Sequence, residues 1–124
     1  MLQLAGFSAL EQIDLARTRI ADPGVDAIAK LTTLKRLALN YTTISDKGLA
    51  TLKQALPNLV ELNLDSADIS DAGVEILRTM PGLKVLNLYH TLVTEKAYED
   101  LKKSLPDCRI IFDRDSSLPN RRHS

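Results

Sequence analysis

The sequence predicts an α/β solenoid, a right-handed coil in which short strands and helices alternate, with the strands lining one face and the helices the other. Three observations predict it. The string NYTTISDKGL at 40–49 has near-copies upstream as ARTRIADPGV and downstream as DSADISDAGV. Aligned on their leucines, the blocks LEQIDLARTRI from Leu10, LKRLALNYTTI from Leu34, LVELNLDSADI from Leu59 and LKVLNLYHTLV from Leu83 begin 24, 25 and 24 residues apart. Between blocks, apolar residues fall at three- and four-residue spacing, as in Leu49, Leu52 and Leu56 or Val74, Ile76, Leu77 and Met80, which marks one face of a helix.

Composition sets the outer bounds. A chain of 124 residues with 44% hydrophobic and 26% charged residues fits one ordinary globular domain. Sixteen basic residues balance sixteen acidic ones, so no net field draws the chain to nucleic acid or to an anionic membrane surface, and neither is expected as a partner. The single cysteine, Cys108, excludes an internal disulfide framework and a cysteine-rich zinc site. No basic leader opens the chain and no stretch approaches the ~20 apolar residues of a membrane span, so a cytoplasmic monomer is expected.

Taken in order, Met1, Leu4 and Phe7 align with Val25, Ile28 and Leu31, so residues 1–9 read as a partial repeat or N-terminal cap. Four repeats follow, at 10–33, 34–58, 59–82 and 83–107. In each block the stretch corresponding to 36–40 is a strand whose alternate side chains face opposite ways, turning Leu37 and Leu39 inward. Strands paired in parallel need a long return connection, which the helical segment supplies.

The corner between strand and helix carries the repeated string. Asp22 before Pro23 suits an N-cap, and by register Asp46 and Asp71 are expected to cap the next two helices. Gly24, Gly48 and Gly73 sit early in a helix, where glycine costs roughly 1 kcal/mol, so their recurrence implies a close approach between coils or an unusual backbone angle. Thr18, Thr42 and Thr91 are placed to bond loop backbone through buried hydroxyls, and Ala67 breaks that series. The fourth repeat has Glu95, Ala97 and Tyr98 where the others have aspartate, glycine and Leu or Val, as befits a terminal unit. After it, 108–113 is expected to be a capping strand in a register restarting at Cys108 and Ile111, and 114–124 a flexible tail.

These blocks resemble leucine-rich repeats of the helical, cysteine-containing or ribonuclease-inhibitor-like class, and bacterial arrays reading L-x-x-L-x-L-x-x-T-x-I-x-D-x-G-L, over 10–107. The resemblance implies a horseshoe with a parallel sheet on its concave face and helices on its convex face. It also implies a scaffold that binds other proteins, often on the concave sheet, with no catalytic residues in the repeats.

Outward strand positions form columns: Gln12, Arg36, Glu61, Val85 and Ile110; Asp14, Ala38, Asn63, Asn87 and Phe112; Ala16, Asn40, Asp65 and Tyr89; and, at the strand exit, Arg17, Tyr41, Ser66 and His90. The face turns from charged to apolar and aromatic along the chain, which marks Tyr41, Asp65, Val85, Tyr89, His90, Ile110 and Phe112 as the expected partner-binding residues. For Ile110 and Phe112 the competing reading is burial under the cap or tail.

Asp65, Ser66 and His90 are neighbours in this register and offer acid, nucleophile and base. No G-x-S-x-G elbow or oxyanion donor accompanies them, so exposed polar residues are the preferred reading and a hydrolase a distant alternative. The glycines are single rather than clustered, and His90 and His123 are the only histidines, so neither a phosphate-binding cofactor nor a metal is expected. Cys108 reads as a small buried hydrophobe, and Arg121, Arg122 and His123 as solvated tail. The expected function is a non-catalytic module binding a protein or peptide; the alternative is a structural or adaptor segment of a longer repeat protein.

Overall fold

The computed structural model describes residues 10–113. The expected partial repeat at 1–9 and the tail at 114–124, with Arg121, Arg122 and His123, lie outside them. Strands β1 (Gln12–Asp14), β2 (Arg36–Ala38), β3 (Glu61–Asn63), β4 (Val85–Asn87) and β5 (Arg109–Ile111) lie side by side in sequence order, every neighbouring pair parallel. A 3-10 turn at Asp22–Gly24 runs into α1 (Val25–Ile28), and α2 (Asp46–Ala55), α3 (Asp71–Leu77) and α4 (Glu95–Ser104) make the later returns. The result is the expected α/β solenoid, an open parallel sheet backed by helices.

The repeat spacing stacks like on like. Leu37, Leu62 and Leu86 are buried one above another, as are Leu39, Leu64 and Leu88 beside them, and Leu52, Leu77 and Leu101 from the helices. A single coil could not shield such a face, so each coil derives its burial from its neighbours. The parallel ladder also outruns the strands: the N–H groups of Arg17, Tyr41 and Ser66 donate to the carbonyls of Asn40, Asp65 and Tyr89, each at 2.9 Å.

The corners correct one expectation. Asp46 and Asp71 do not cap their own helices; the caps are Ser45, Ser70 and Thr94, whose hydroxyl oxygens accept from the N–H groups of Lys47, Ala72 and Ala97 at 3.3 Å. At the first corner Ala21 holds the cap position, so Asp22 is not the cap either. Each aspartate instead reaches the next coil. Asp22 accepts from the N–H (2.8 Å) and hydroxyl of Ser45, Asp46 from the N–H (2.9 Å) and hydroxyl of Ser70, and Asp71 from the N–H and hydroxyl of Thr94, both at 2.8 Å. A carboxylate accepts from two donors at once, so it ties coil to coil and orients the next capping hydroxyl together.

The glycines make room for this ladder. A Cβ on Gly48 would lie 2.4 Å from Asp22 Oδ1, and one on Gly73 2.4 Å from Asp46 Oδ1; at Gly24 it would meet Ile20 Cγ1 at 2.8 Å. No described glycine has a positive φ, so close approach and not backbone angle explains them. The hydroxyls of Thr18, Thr42 and Thr91 donate to the carbonyls of Leu15, Leu39 and Leu88 at 2.7, 2.6 and 2.8 Å, and Ala67 is buried in the same position without one.

The last strand corrects a second expectation. β5 pairs Arg109 with Val85, Ile110 with Leu86 and Ile111 with Asn87, one residue off the expected register. Ile110 and Phe112 therefore turn inward and pack on the core rather than facing out. The reason is a shorter loop. Cys108 keeps the turn that Leu59 makes, its N–H donating to Leu105 O at 3.1 Å as Leu59 N–H donates to Leu56 O at 3.3 Å, but the strand begins immediately after Cys108 and two residues after Leu59. Phe112 stacks on Tyr98 with ring centroids 4.3 Å apart and planes 7° from parallel.

Candidate functional site

The outward residues of the first column are Gln12, Arg36, Glu61, Val85 and, in the corrected register, Arg109; those of the second are Asp14, Ala38, Asn63, Asn87 and Ile111. At the centre, the Arg36 guanidinium and the Glu61 carboxylate form an ion pair, so the most charged part of the sheet cancels itself. The second column is structural. Asp14, Asn63 and Asn87 accept, through their side-chain oxygens, from the N–H groups of Ala16, Asp65 and Tyr89 at 2.9, 3.0 and 2.9 Å. Such Asx turns bend the chain where it leaves the strand.

That bend produces the most unusual backbone in the molecule. Arg17, Tyr41, Ser66 and His90 occupy the left-handed region, with φ of 60°, 60°, 62° and 56°. None is glycine, and each carries a conformational cost of order 1–3 kcal/mol; the N–H groups of Arg17, Tyr41 and Ser66 are held by ladder bonds to the next coil. The turn throws these side chains along the strand-exit edge of the sheet. There the Arg17 guanidinium lies over the Tyr41 ring, 4.1 Å from its centroid, and the His90 ring lies 3.9 Å from that of Tyr89 at a 57° tilt. Tyr41 is 43% and Tyr89 37% exposed, which with Leu92 makes them the most exposed large apolar side chains among the described residues.

Asp65 sits between these aromatic pairs with its side chain only 17% exposed. The Ser66 hydroxyl donates to Asp65 Oδ1 at 2.9 Å, and His90 Nδ1 lies 3.4 Å from the same oxygen. A nucleophile–base–acid relay has the histidine in the middle. Here the carboxylate is in the middle, between the serine and the histidine, so the order of that relay is not reproduced.

Of the residues singled out from the sequence, Tyr41, Asp65, Val85, Tyr89 and His90 share the concave face and its exit edge, whereas Ile110 and Phe112 belong to the closing layer of the core. Sequence reasoning missed Arg109 and Ile111 as the outward pair, for which the shortened LPDCR loop is the available signal. It also missed the Asx role of Asp14, Asn63 and Asn87, signalled by Asp or Asn recurring at the end of the strand. The left-handed turns leave no signal, since neither glycine nor asparagine marks them.

The sheet's groove, running from Gln12 to Ile111, has a volume of about 260 Å³. Burial pushes the Cys108 thiol up, with the Lys84 charge working against it, so the thiol is poorly disposed to react. The described residues contain no group of three or more His, Cys, Asp or Glu placed to hold a metal ion, and no described helix is long and apolar enough to cross a membrane.

No curated protein sequence matches the chain. Among solved structures, an internalin from Listeria monocytogenes str. 4b F2365 is similar over 98% of this chain at 16% identity and a TM-score of 0.43, and the chain spans 48% of that protein. The leucine-rich-repeat family model matches residues 9–29, 30–53 and 55–77, together more than half of the sequence. With its stacked L-x-x-L-x-L strands and repeated corners, the chain belongs to the leucine-rich-repeat family.

Proposed function

We propose that the solenoid is a non-catalytic module that binds a protein or peptide across the concave sheet, with the strand-exit edge from Tyr41 to His90 at the centre of the contact. The observation that carries this reading is the pair of exposed tyrosines on that edge. Tyr41 stands on a left-handed turn and Tyr89 on a residue whose N–H is tied to Asn87 Oδ1, so both are presented from fixed backbone. Tyrosine on a rigid frame offers large amphipathic area at little entropic cost, which is how few residues come to dominate an interface. The helical side presents a different surface, with exposed Lys47, Lys53, Glu75 and Lys102.

Affinity capture from the native cell, quantified by mass spectrometry, tests the reading. The Tyr41→Ala/Tyr89→Ala variant is expected to lose the specific partner by about tenfold or more, while Lys53→Ala/Lys102→Ala retains it and both keep the wild-type melting temperature. Loss through the lysines with the tyrosine variant unaffected would move the working surface to the helices.

A further inference from the structure

We propose that the partner segment crossing the concave sheet is dipolar: a carboxylate of the partner meets Lys84 and Arg109 at the last two strands, and a cation of the partner meets Asp14 at the first. This rests on the concave-face reading above and gives the bound segment a chemistry and a direction.

Early in the sheet, the strand cations are matched by the molecule itself. Lys35 pairs with Glu11 at 3.7 Å and Arg36 pairs with Glu61, each across one coil boundary. Lys84 and Arg109 break that pattern. Lys84 precedes β4 as Lys35 precedes β2, and Arg109 aligns with Arg36 through Glu61 and Val85. The register neighbours of Lys84 are Val60 and Cys108, and that of Arg109 is Val85, so no carboxylate stands beside either. The Arg109 N–H donates to the Lys84 carbonyl at 2.8 Å, which makes the two residues adjoin across the last coil boundary. The Lys84 charge is felt at the Cys108 thiol, so it acts on the side of β5. Both side chains are exposed, and neither forms an ion pair among the described residues, with Asp107 or any other acid.

The opposite charge stands at the other end. Asp14 is exposed and lines the groove, with Ala38 as its register neighbour on β2. Its Oδ1 accepts from the Ala16 N–H at 2.9 Å, and it has no ion-pair partner among the described residues. A carboxylate has four lone-pair sites, so Asp14 retains the capacity to accept from a partner's cation. Between the two ends Arg36 and Glu61 cancel. A surface negative at one end, neutral in the middle and positive at the other fixes which way a charged segment lies. A wholly acidic segment would be repelled at Asp14 and a wholly basic one at Lys84 and Arg109. Four strand spacings of about 4.8 Å separate β1 from β5, and an extended segment at about 3.3 Å per residue crosses that distance in about six residues.

The test is selection of a displayed library of random peptides on the folded chain. Wild type is expected to enrich peptides carrying one base and one acid about six residues apart. Lys84→Glu/Arg109→Glu is expected to weaken those peptides by about tenfold and, in a fresh selection, to exchange the acid for a second base. Asp14→Asn keeps an Oδ1 acceptor, as Asn63 and Asn87 do in the same column, and is expected to remove the preference for the base while the melting temperature stays that of wild type. Selected peptides without that charge pair, peptides indifferent to both changes, or a library that yields no binder would overturn the inference. Peptides that need Tyr41 and Tyr89 but not these charges would sink the dipolar segment and leave the concave reading standing; peptides that need only Lys53 and Lys102 would remove both.

Discussion

The corners of the second and third coils and the corner of the fourth solve one problem in two ways. In the inner coils a serine caps the helix, glycine follows three residues later, and the preceding coil's aspartate sits where a Cβ would be, 2.4 Å away. In the fourth coil the cap is Thr94, with φ −82° and ψ 162° against −116° and −173° at Ser45, and its oxygen accepts from the third helical residue instead of the second. Ala97 replaces the glycine and lines an open hollow beside Asp71. Tyr98, in the slot of Leu49 and Val74, then closes the core by stacking on Phe112. The glycine is thus a consequence of close packing against another coil's carboxylate; a different cap rotamer and an open side make a methyl acceptable.

Adding bulk at the two corners gives the widest separation. Gly48→Val forces the Asp22 carboxylate out and is expected to cost about 3 kcal/mol, whereas Ala97→Val, facing the hollow, is expected to cost under about 1 kcal/mol. Chemical denaturation decides, and equal losses would break the comparison.

Removing the carboxylate sharpens it. Asp46→Ala strips the partners from a half-buried N–H and hydroxyl at Ser70 and is expected to cost about 2 kcal/mol. Asp71→Ala leaves the more exposed Thr94 groups to water and is expected to cost about 1 kcal/mol. The smallest effect concerns the one corner lacking its threonine: Ala67→Thr restores a donor to the Leu64 carbonyl and is expected to be neutral or stabilising by about 1 kcal/mol. A fall of several degrees in Tm would mean that the buried site has no space for the hydroxyl.

The strands, the buried leucines and the threonine–carbonyl bonds are legible in the sequence, because a period of 24 or 25 residues with inward Leu37, Leu62 and Leu86 leaves one way to stack them. The aspartates are legible as corner residues but not in their role. Their partners lie in the next coil, and the local rule for N-caps points to the wrong acceptor by one residue. The last strand is misread for a related reason: Cys108 keeps its turn while the loop after it contracts, so apolar spacing alone favours the wrong face for Ile110 and Phe112. Tyr41, Asp65 and His90 can be grouped from the register, yet the order of contacts, with the carboxylate between serine and histidine, is a matter of side-chain geometry that no spacing encodes.

Hydrogen exchange on the complex with the captured partner tests the concave-face reading most directly. The account predicts slowed exchange in the segments 36–41, 61–66 and 85–90, with the amides of α2, α3 and α4 unchanged. Protection confined to those helices, with the strand segments exchanging as in the free protein, would contradict it.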